Sequence, residues 1–392
     1  MRSSNSRIKD IKFGGLYEIF TKANALEEEG KRIIHMEIGR PDFDSPEMAK
    51  KAVKKALDNE HVHYTDINGI RPLREAIINK EKRRFGLEYD SETEITVTAG
   101  ACEALSAILL AYMDAGEELL CTSPFFSAYS EMALITGVKL VEVPVYIDNN
   151  WKLDINEIRK RITSKTKMLL INSPNNPTGY VLSKEELQLI ADIAIENDLV
   201  VISDECYDEF NYEGEHVSIS TLPNMKERTL VVKSTSKSFS MTGWRIGYVL
   251  GPDHMIRYIN KVHQNLSTCA TAFAQYGAVE AFNNGDKYIE NMVTEFKRRG
   301  DRFYEDLSKI KGLQIVKPEG AFYMFPKITS FGLSDVEVAE YLLEEVGVVG
   351  VPGSSFGEFG KGHIRLAYSR SYEDIVEAGE KLKFAFDKLR KR

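Results

Sequence analysis

Residues 199–205 read LVVISDE, an almost unbroken apolar run that stops at two acidic side chains. Alternate side chains of a strand point to opposite faces, so a strand apolar at every position is buried on both. Burial on both faces requires covering layers on either side, which points to an α/β fold with a mostly parallel central sheet between helices. In such sheets ligands gather beyond the carboxyl ends of the strands, and Asp204 stands at that end of this one.

Five further runs repeat the pattern: EITVTAG at 94–100, ELLCTSP at 118–124, KMLLINSP at 167–174, TLVVKSTS at 229–236 and RIGYVLG at 245–251. Each gives way to polar, Gly or Pro residues where a loop or helix begins. Between 174 and 199 one connecting helix is well specified. Ser183 is its N-cap, Glu186 completes a capping box, and Leu187, Ile190, Ala191, Ala194 and Ile195 form the apolar stripe.

From about residue 285 the texture changes to a long charged helical stretch, DKYIENMVTEFKRRGDRFYEDLSKI, followed by turns at KPEGAFYMFP and VPGSSFGEFG. A second, smaller α+β domain is expected there, joined by the N-terminal 45 residues.

The 392 residues, 43% of them hydrophobic, suffice for sizeable cores and exclude a disordered chain. A net charge of −8, with the closing KLRKR as the one dense basic run, argues against nucleic acid as a partner. No stretch approaches a membrane span and no apolar leader opens the chain, so a soluble protein is expected. Cys102, Cys121, Cys206 and Cys269 form no CxxC pair, which suits a reducing cytoplasm. His61 and His63 lie two apart without a completing acidic pattern, so no metal is expected.

Unusual residues accumulate at the strand ends. SPNNPTG (173–179) follows one strand, SDECYDEF (203–210) ends another, and in KSTSKSFSMTGWRIGY (233–248) Lys237 is surrounded by hydroxyls instead of the glutamates that usually flank a lysine. Singly these are a turn, a helix cap and a loop residue. Together they supply an amine, a carboxylate, an amide, a phenol and a guanidinium along one sheet edge, a set that suits pyridoxal phosphate. Its aldehyde needs a lysine, and its phosphate needs hydroxyls, N–H groups and an arginine, which Lys237, Ser234, Ser236 and Arg245 offer. A carboxylate must keep the pyridine nitrogen protonated, a role for Asp204, and donors must face the ring's 3-oxygen, a role for Asn176 and Tyr207.

Taken in order, NNPTG, DECY, STSKSFSMTGWRIGY and IRLAYS (364–369) resemble the class I/II aminotransferases, pyridoxal-phosphate enzymes of fold type I and like aspartate aminotransferase, from EIGRPDFDSPE (37–47) almost to the C-terminus. The resemblance implies a large cofactor-binding domain (46–284), a small domain built from both ends (1–45 and 285–392), and a homodimer with shared active sites. It makes Lys237 the aldimine lysine and the base of the proton shift, Asp204 the partner of the ring nitrogen, and Asn176 and Tyr207 the ligands of the 3-oxygen. It puts the N–H groups of Ala101 and Cys102, in TAGACEAL, at a helix end facing the phosphate. Phe126 in SPFFSAY would stack on the ring, with Phe125 and Tyr129 as alternatives. Tyr64, in VHYTDINGIRPLREAI, would reach the phosphate of the neighbouring subunit. Arg365 would clamp the substrate α-carboxylate, with Gly39 letting that carboxylate approach. The cysteines Cys102 and Cys206 read as small packing residues.

The implied reaction moves an amino group from an L-amino acid to a 2-oxo acid in a ping-pong cycle. The same parts would also serve a carbon–sulfur lyase, an eliminase or an amino-acid cyclase. A non-enzymatic pyridoxal-phosphate-binding regulator would need a DNA-binding segment that this acidic chain does not offer. QNLSTCATAFAQ (264–275), which resembles the loop donated by the partner, contains no arginine, which puts aspartate specificity in doubt.

Overall fold

The run at 199–205 becomes the strand Val200–Asp204, the middle one of seven. The sheet order is Ile95–Thr98, Gly247–Leu250, Thr229–Ser234, Val200–Asp204, Thr166–Asn172, Glu118–Ser123, Lys139–Pro144. Pairing is parallel from Thr229–Ser234 to the Lys139–Pro144 edge, while Gly247–Leu250 runs antiparallel to both neighbours. In this computed structural model the described residues are 6–9, 11 and 15–391, so parts of the N-terminal stretch and the last residue of KLRKR lie outside them.

Alternation along the central strands separates two cores. Leu169, Ile171 and Val201 pack with Leu187, Ile190 and Ala194 of the helix Lys184–Glu196. Met168, Leu170, Ile202 and Val232 face the other way, onto Leu105 and Ile108 of Ala101–Tyr112 and Ile256 and Ile259 of Asp253–Ser267. Both faces of the sheet are thus covered, as apolar strands require.

All six expected strands lie in this sheet. The seventh, KLVEVP, carries charged residues and is partly exposed because it forms an edge, where one row of backbone groups and part of each face meet water. The capping box of Ser183 and Glu186 is present. The stripe needs one correction: Ile195 is exposed and Ile193 is buried. At 100° per residue the buried arc is centred between Ile190 and Ala194, which takes Ile193 in and leaves Ile195 beyond the rim.

The charged helix occupies Asp286–Ser308, starting where the texture changes. Its apolar stripe, Phe296 and Phe303, shares one cluster with Ile33, Ile34 and Met36 from the N-terminal part and with Ile375 and Leu382 of the helix Tyr372–Leu389. Ile34–His35 pairs with Val348–Val349, and the strand Ile364–Ala367 lies between Val351–Pro352 and Tyr323–Met324. Among the described residues no helix is long and apolar enough to cross a membrane.

Candidate active site

The parallel strands end at a cleft of about 730 Å³, within the size range of small-molecule sites. Strand Thr229–Ser234 turns there into the single helical turn Thr235–Ser238, which presents Lys237. Its Nζ donates to the carbonyl of Gly39 at 2.6 Å, and it makes no ion pair with any described carboxylate. Burial, reinforced by the positive charges of Arg365 and Arg245, lowers its pKa from 10.5 to about 8. Of the surrounding hydroxyls, Ser234 and Ser236 line the cleft. Thr235 turns away and donates to the carbonyl of Ile246 at 3.1 Å.

Asp204 is buried at the tip of the central strand. Its Oδ2 accepts from the Tyr129 hydroxyl at 2.6 Å and its Oδ1 from the N–H of Cys206 at 3.1 Å, with no cation paired to it among the described residues. Burial raises its pKa and those hydrogen bonds oppose the rise. The Tyr207 and Tyr323 hydroxyls lie 2.6 Å apart. Asn176 is fixed by its N–H to Asn172 Oδ1, at 2.9 Å, and its Oδ1 accepts from Arg365 Nη1 at 3.1 Å.

At the far end, Ile95–Thr98 enters the helix Ala101–Tyr112 through Gly100, whose φ of 90° favours glycine. No side chain caps this helix, so the first N–H groups, those of Ala101 and Cys102, stand at its positive end. A Cβ on Gly100 would lie 2.3 Å from Arg245 Nη2, and one on Gly247 would lie 2.4 Å from the carbonyl carbon of Gly100. Glycine at both positions lets the Arg245 guanidinium, bonded to the carbonyls of Thr242 (3.1 Å) and Ala99 (3.2 Å), close over the turn.

Arg365 is 4% exposed and pairs with no carboxylate among the described residues. It donates to Asn176 and to the carbonyl of Glu37, lies against the rings of Tyr323 and Phe356, and leaves its Nε unpartnered. A buried guanidinium so placed suits an anion as its partner. Phe126 lines the cleft, whereas Phe125 packs into the core below it and Tyr129 is engaged by Asp204. Gly39 has no room for a side chain, because a Cβ would lie 2.1 Å from the Tyr323 hydroxyl. Tyr64 is 85% exposed and stays outside this chain's cleft. Both cysteines line the cleft; Cys206 is buried, as a packing residue should be, whereas Cys102, in the first turn of its helix, is exposed, which corrects its reading as a packing residue.

The sequence profile for aminotransferase class I and II matches residues 31–382. The aromatic-amino-acid aminotransferase 2 of Thermococcus litoralis is 39% identical over 381 residues, 96% of this chain and 97% of its own. The aspartate aminotransferase of Pyrococcus abyssi is 43% identical over 355 residues, 90% of this chain and 91% of its own. The chain belongs to the class I and II aminotransferases. The Thermus thermophilus aspartate aminotransferase with maleate superimposes with a TM-score of 0.93 at 36% identity, covering 98% of this chain and 100% of that one. For the Pyrococcus horikoshii aromatic aminotransferase the values are 0.89 and 41%, with coverages of 94% and 99%.

Class I and II aminotransferases are pyridoxal-phosphate-dependent, and this protein is a pyridoxal-phosphate-dependent aminotransferase of fold type I. Its cleft fits the cofactor: a buried carboxylate lacking a cation, an amine with a lowered pKa, and a glycine-lined cradle beside an uncapped helix end and an arginine. Sequence reasoning missed Tyr323, Asn172 and Thr242. Tyr323 lies in a two-residue strand, too short for periodicity to mark. Asn172 was legible as the last residue of a strand that ends beside Asp204.

Proposed function

We propose that this cleft exchanges the amino group of an amino acid with an apolar or aromatic side chain against a 2-oxo acid, with Lys237 as the amine that carries the proton. The observation that carries this reading is the Lys237 amine itself: free of carboxylates, with a pKa of about 8, so that a useful fraction is neutral near neutral pH. When bound, the cofactor supplies an electron sink for the charge left when the substrate's α-proton departs.

The chain's own groups divide the remaining work. Asp204 would face the ring nitrogen, its burial making a cationic partner favourable. Asn176 and Tyr207 would hold the ring oxygen, and Phe126 would cover the ring. Ser234, Ser236, Arg245 and the N–H groups of Ala101 and Cys102 would bind the phosphate. Arg365 would hold the α-carboxylate beside Gly39, leaving the α-carbon facing Lys237.

The substrate's side chain would meet Ile11, Phe20, Ile38 and Leu105, together with the acidic Glu37 and Glu131. The cations among the described lining residues, Lys237, Arg245 and Arg365, all have other tasks in this reading, so a side-chain carboxylate would find repulsion and no spare partner among them. The division into a large domain (46–284) and a small one (1–45 with 285–392) is supported by the cluster that both chain ends share. A homodimer is supported by Tyr64, which is exposed and does not line its own chain's cleft. A cytoplasmic setting is supported by four free cysteines.

Transamination of phenylalanine and of aspartate, followed by the 2-oxo acid formed, tests the reading. Wild type should prefer phenylalanine by about tenfold or more in kcat/KM, as a missing charge partner predicts, and Lys237→Ala should form neither product. A preference for aspartate would overturn the apolar assignment, and turnover by Lys237→Ala would overturn the role of the lysine.

A further inference from the structure

Behind the cleft, on the other side of the same strand ends, lies a cluster of buried charges that the transamination chemistry does not use. Lys233, 2% exposed, lies 2.9 Å from Glu81 Oε2, 3.1 Å from Asp208 Oδ2 and 3.4 Å from Glu205 Oε2. Arg84 bonds Asp208 at 2.5 Å and reaches Glu209 at 3.0 Å, and Lys80 bonds Glu209 at 2.7 Å. Burial opposes the charges of Lys233, Arg84, Glu81, Asp208 and Glu205. Lys233 nevertheless stays well above the ordinary lysine range, held by Asp208, Glu81 and Glu205. Glu205 is held at about 2 by Lys233 and His216 against its own burial. Lys233 is thus the cation on which three carboxylates converge.

The placement of the cluster in the chain gives it meaning. Lys233 immediately precedes Ser234, Glu205 immediately follows Asp204, and Asp208 immediately follows Tyr207. Each of these charged groups is therefore one peptide unit away from a cleft residue. The ladder between Val200–Asp204 and Thr229–Ser234 ends at Asp204↔Val232, with one last bond from Glu205 N–H to the Val232 carbonyl at 2.9 Å. Beyond that point the chain from 206 to 210 leaves the sheet in turns, and no ladder holds Tyr207 against Ser234. The ion pairs of Lys233 span that gap. They are anchored from the far side by Glu81 and Arg84 of the helix Arg71–Phe85.

We infer that Lys233 is a positioning residue: with Glu205, Asp208 and Glu81 it fixes the spacing of Asp204, Tyr207 and Ser234 across the cleft. A buried ion cluster is a poor device for stability alone, since apolar side chains of similar volume often serve as well. It is a good device for geometry, because each ion pair is directional and costly to stretch. A cavity of about 10 Å³, close to the volume that admits one water, lies where Glu81, Asp208 and Lys233 meet the rings of Phe239, Tyr248 and Phe282, so the ion pairs work beside aromatic packing at this junction.

The inference rests on the reading of the cleft as the cofactor site, and its test separates the two. Cofactor-free protein is titrated with pyridoxal phosphate, and the pH midpoint of the bound cofactor's visible absorbance is then measured. The variant is Lys233→Met/Glu81→Met, which removes one charge of each sign. It should still unfold cooperatively, at a lower midpoint because Glu205 and Asp208 lose their cation, bind the cofactor about tenfold or more weakly, and shift the absorbance midpoint by about half a pH unit or more, as loss of a supporting shell predicts. A folded variant with wild-type affinity and midpoint would overturn the positioning role. Should that variant not fold, Glu205→Gln carries the same test, since it keeps the shape beside Asp204 and removes the charge that faces Lys233 and His216; unchanged affinity and absorbance midpoint there overturn the inference equally. Failure of the wild-type protein to bind the cofactor would instead overturn the cleft assignment.

Discussion

Two lysines four residues apart show how much a side chain's surroundings decide. Lys233 is enclosed by carboxylates and held charged, whereas Lys237 is enclosed by hydroxyls and a carbonyl and gives up its proton near pH 8. The second environment was legible, because Ser234 and Ser236 adjoin Lys237 in sequence. The first was not: Glu81 lies 152 residues away, and only folding brings it near. The lowered pKa carries a stability consequence. An unfolded lysine keeps its proton to about 10.5 and the folded one loses it near 8, so between those values the unfolded chain binds more protons and stability rises with pH. Below pH 8 the charged amine, which water still partly reaches, is a constant penalty on the order of 2 kcal/mol. Cofactor-free Lys237→Met should therefore be more stable than wild type at pH 7 by about 1–2 kcal/mol, with the difference shrinking toward pH 10.5. Urea unfolding at both pH values measures this. A variant less stable at pH 7 would show that the amine's bond to Gly39 outweighs its burial.

At the scale of elements, the sequence marks what is buried on both faces and blurs what is not. Six strands announce themselves as apolar runs, and the edge strand Lys139–Pro144 hides among charges because water reaches it. Turns that shape the site are legible only as glycines, and their purpose emerges from what a side chain would strike. Gly100 is the sharpest case, since its φ of 90° and the Arg245 guanidinium both exclude a methyl group. Gly100→Ala should cost about 1–3 kcal/mol in stability, from the left-handed backbone. It should also displace Arg245 and weaken pyridoxal phosphate binding by about tenfold, the loss of one charge-assisted bond. Chemical denaturation and cofactor titration read the two effects separately. Normal cofactor affinity in a destabilised protein would remove Arg245 from the phosphate end.

For the whole molecule, the separation of Tyr64 from its own cleft is the informative fact. The residue is 85% exposed, yet the loop behind it is firmly held: Gln275 accepts from the N–H of Ile70 at 2.8 Å and donates to Thr65 Oγ1 at 3.1 Å. A rigid loop that offers an aromatic side chain to solvent beside the exposed Val62 suits a surface that a second copy covers. The motif around Tyr64 was legible in the sequence, and its resemblance assigned the phenol to the neighbouring subunit; composition and spacing alone could not, because that role depends on a neighbour the sequence does not describe. Complementation decides it. Lys237→Ala chains lack the amine and Tyr64→Ala chains lack the phenol, so a mixed dimer contains one site with both if Tyr64 acts across the interface. After the two are unfolded together and refolded at equal amounts, half the dimers are mixed and one site in each is complete. Activity should then exceed that of the two parents combined, approaching about a quarter of the wild-type rate. If Tyr64 serves its own chain, no mixture restores a complete site, and the refolded activity stays at the mean of the parents.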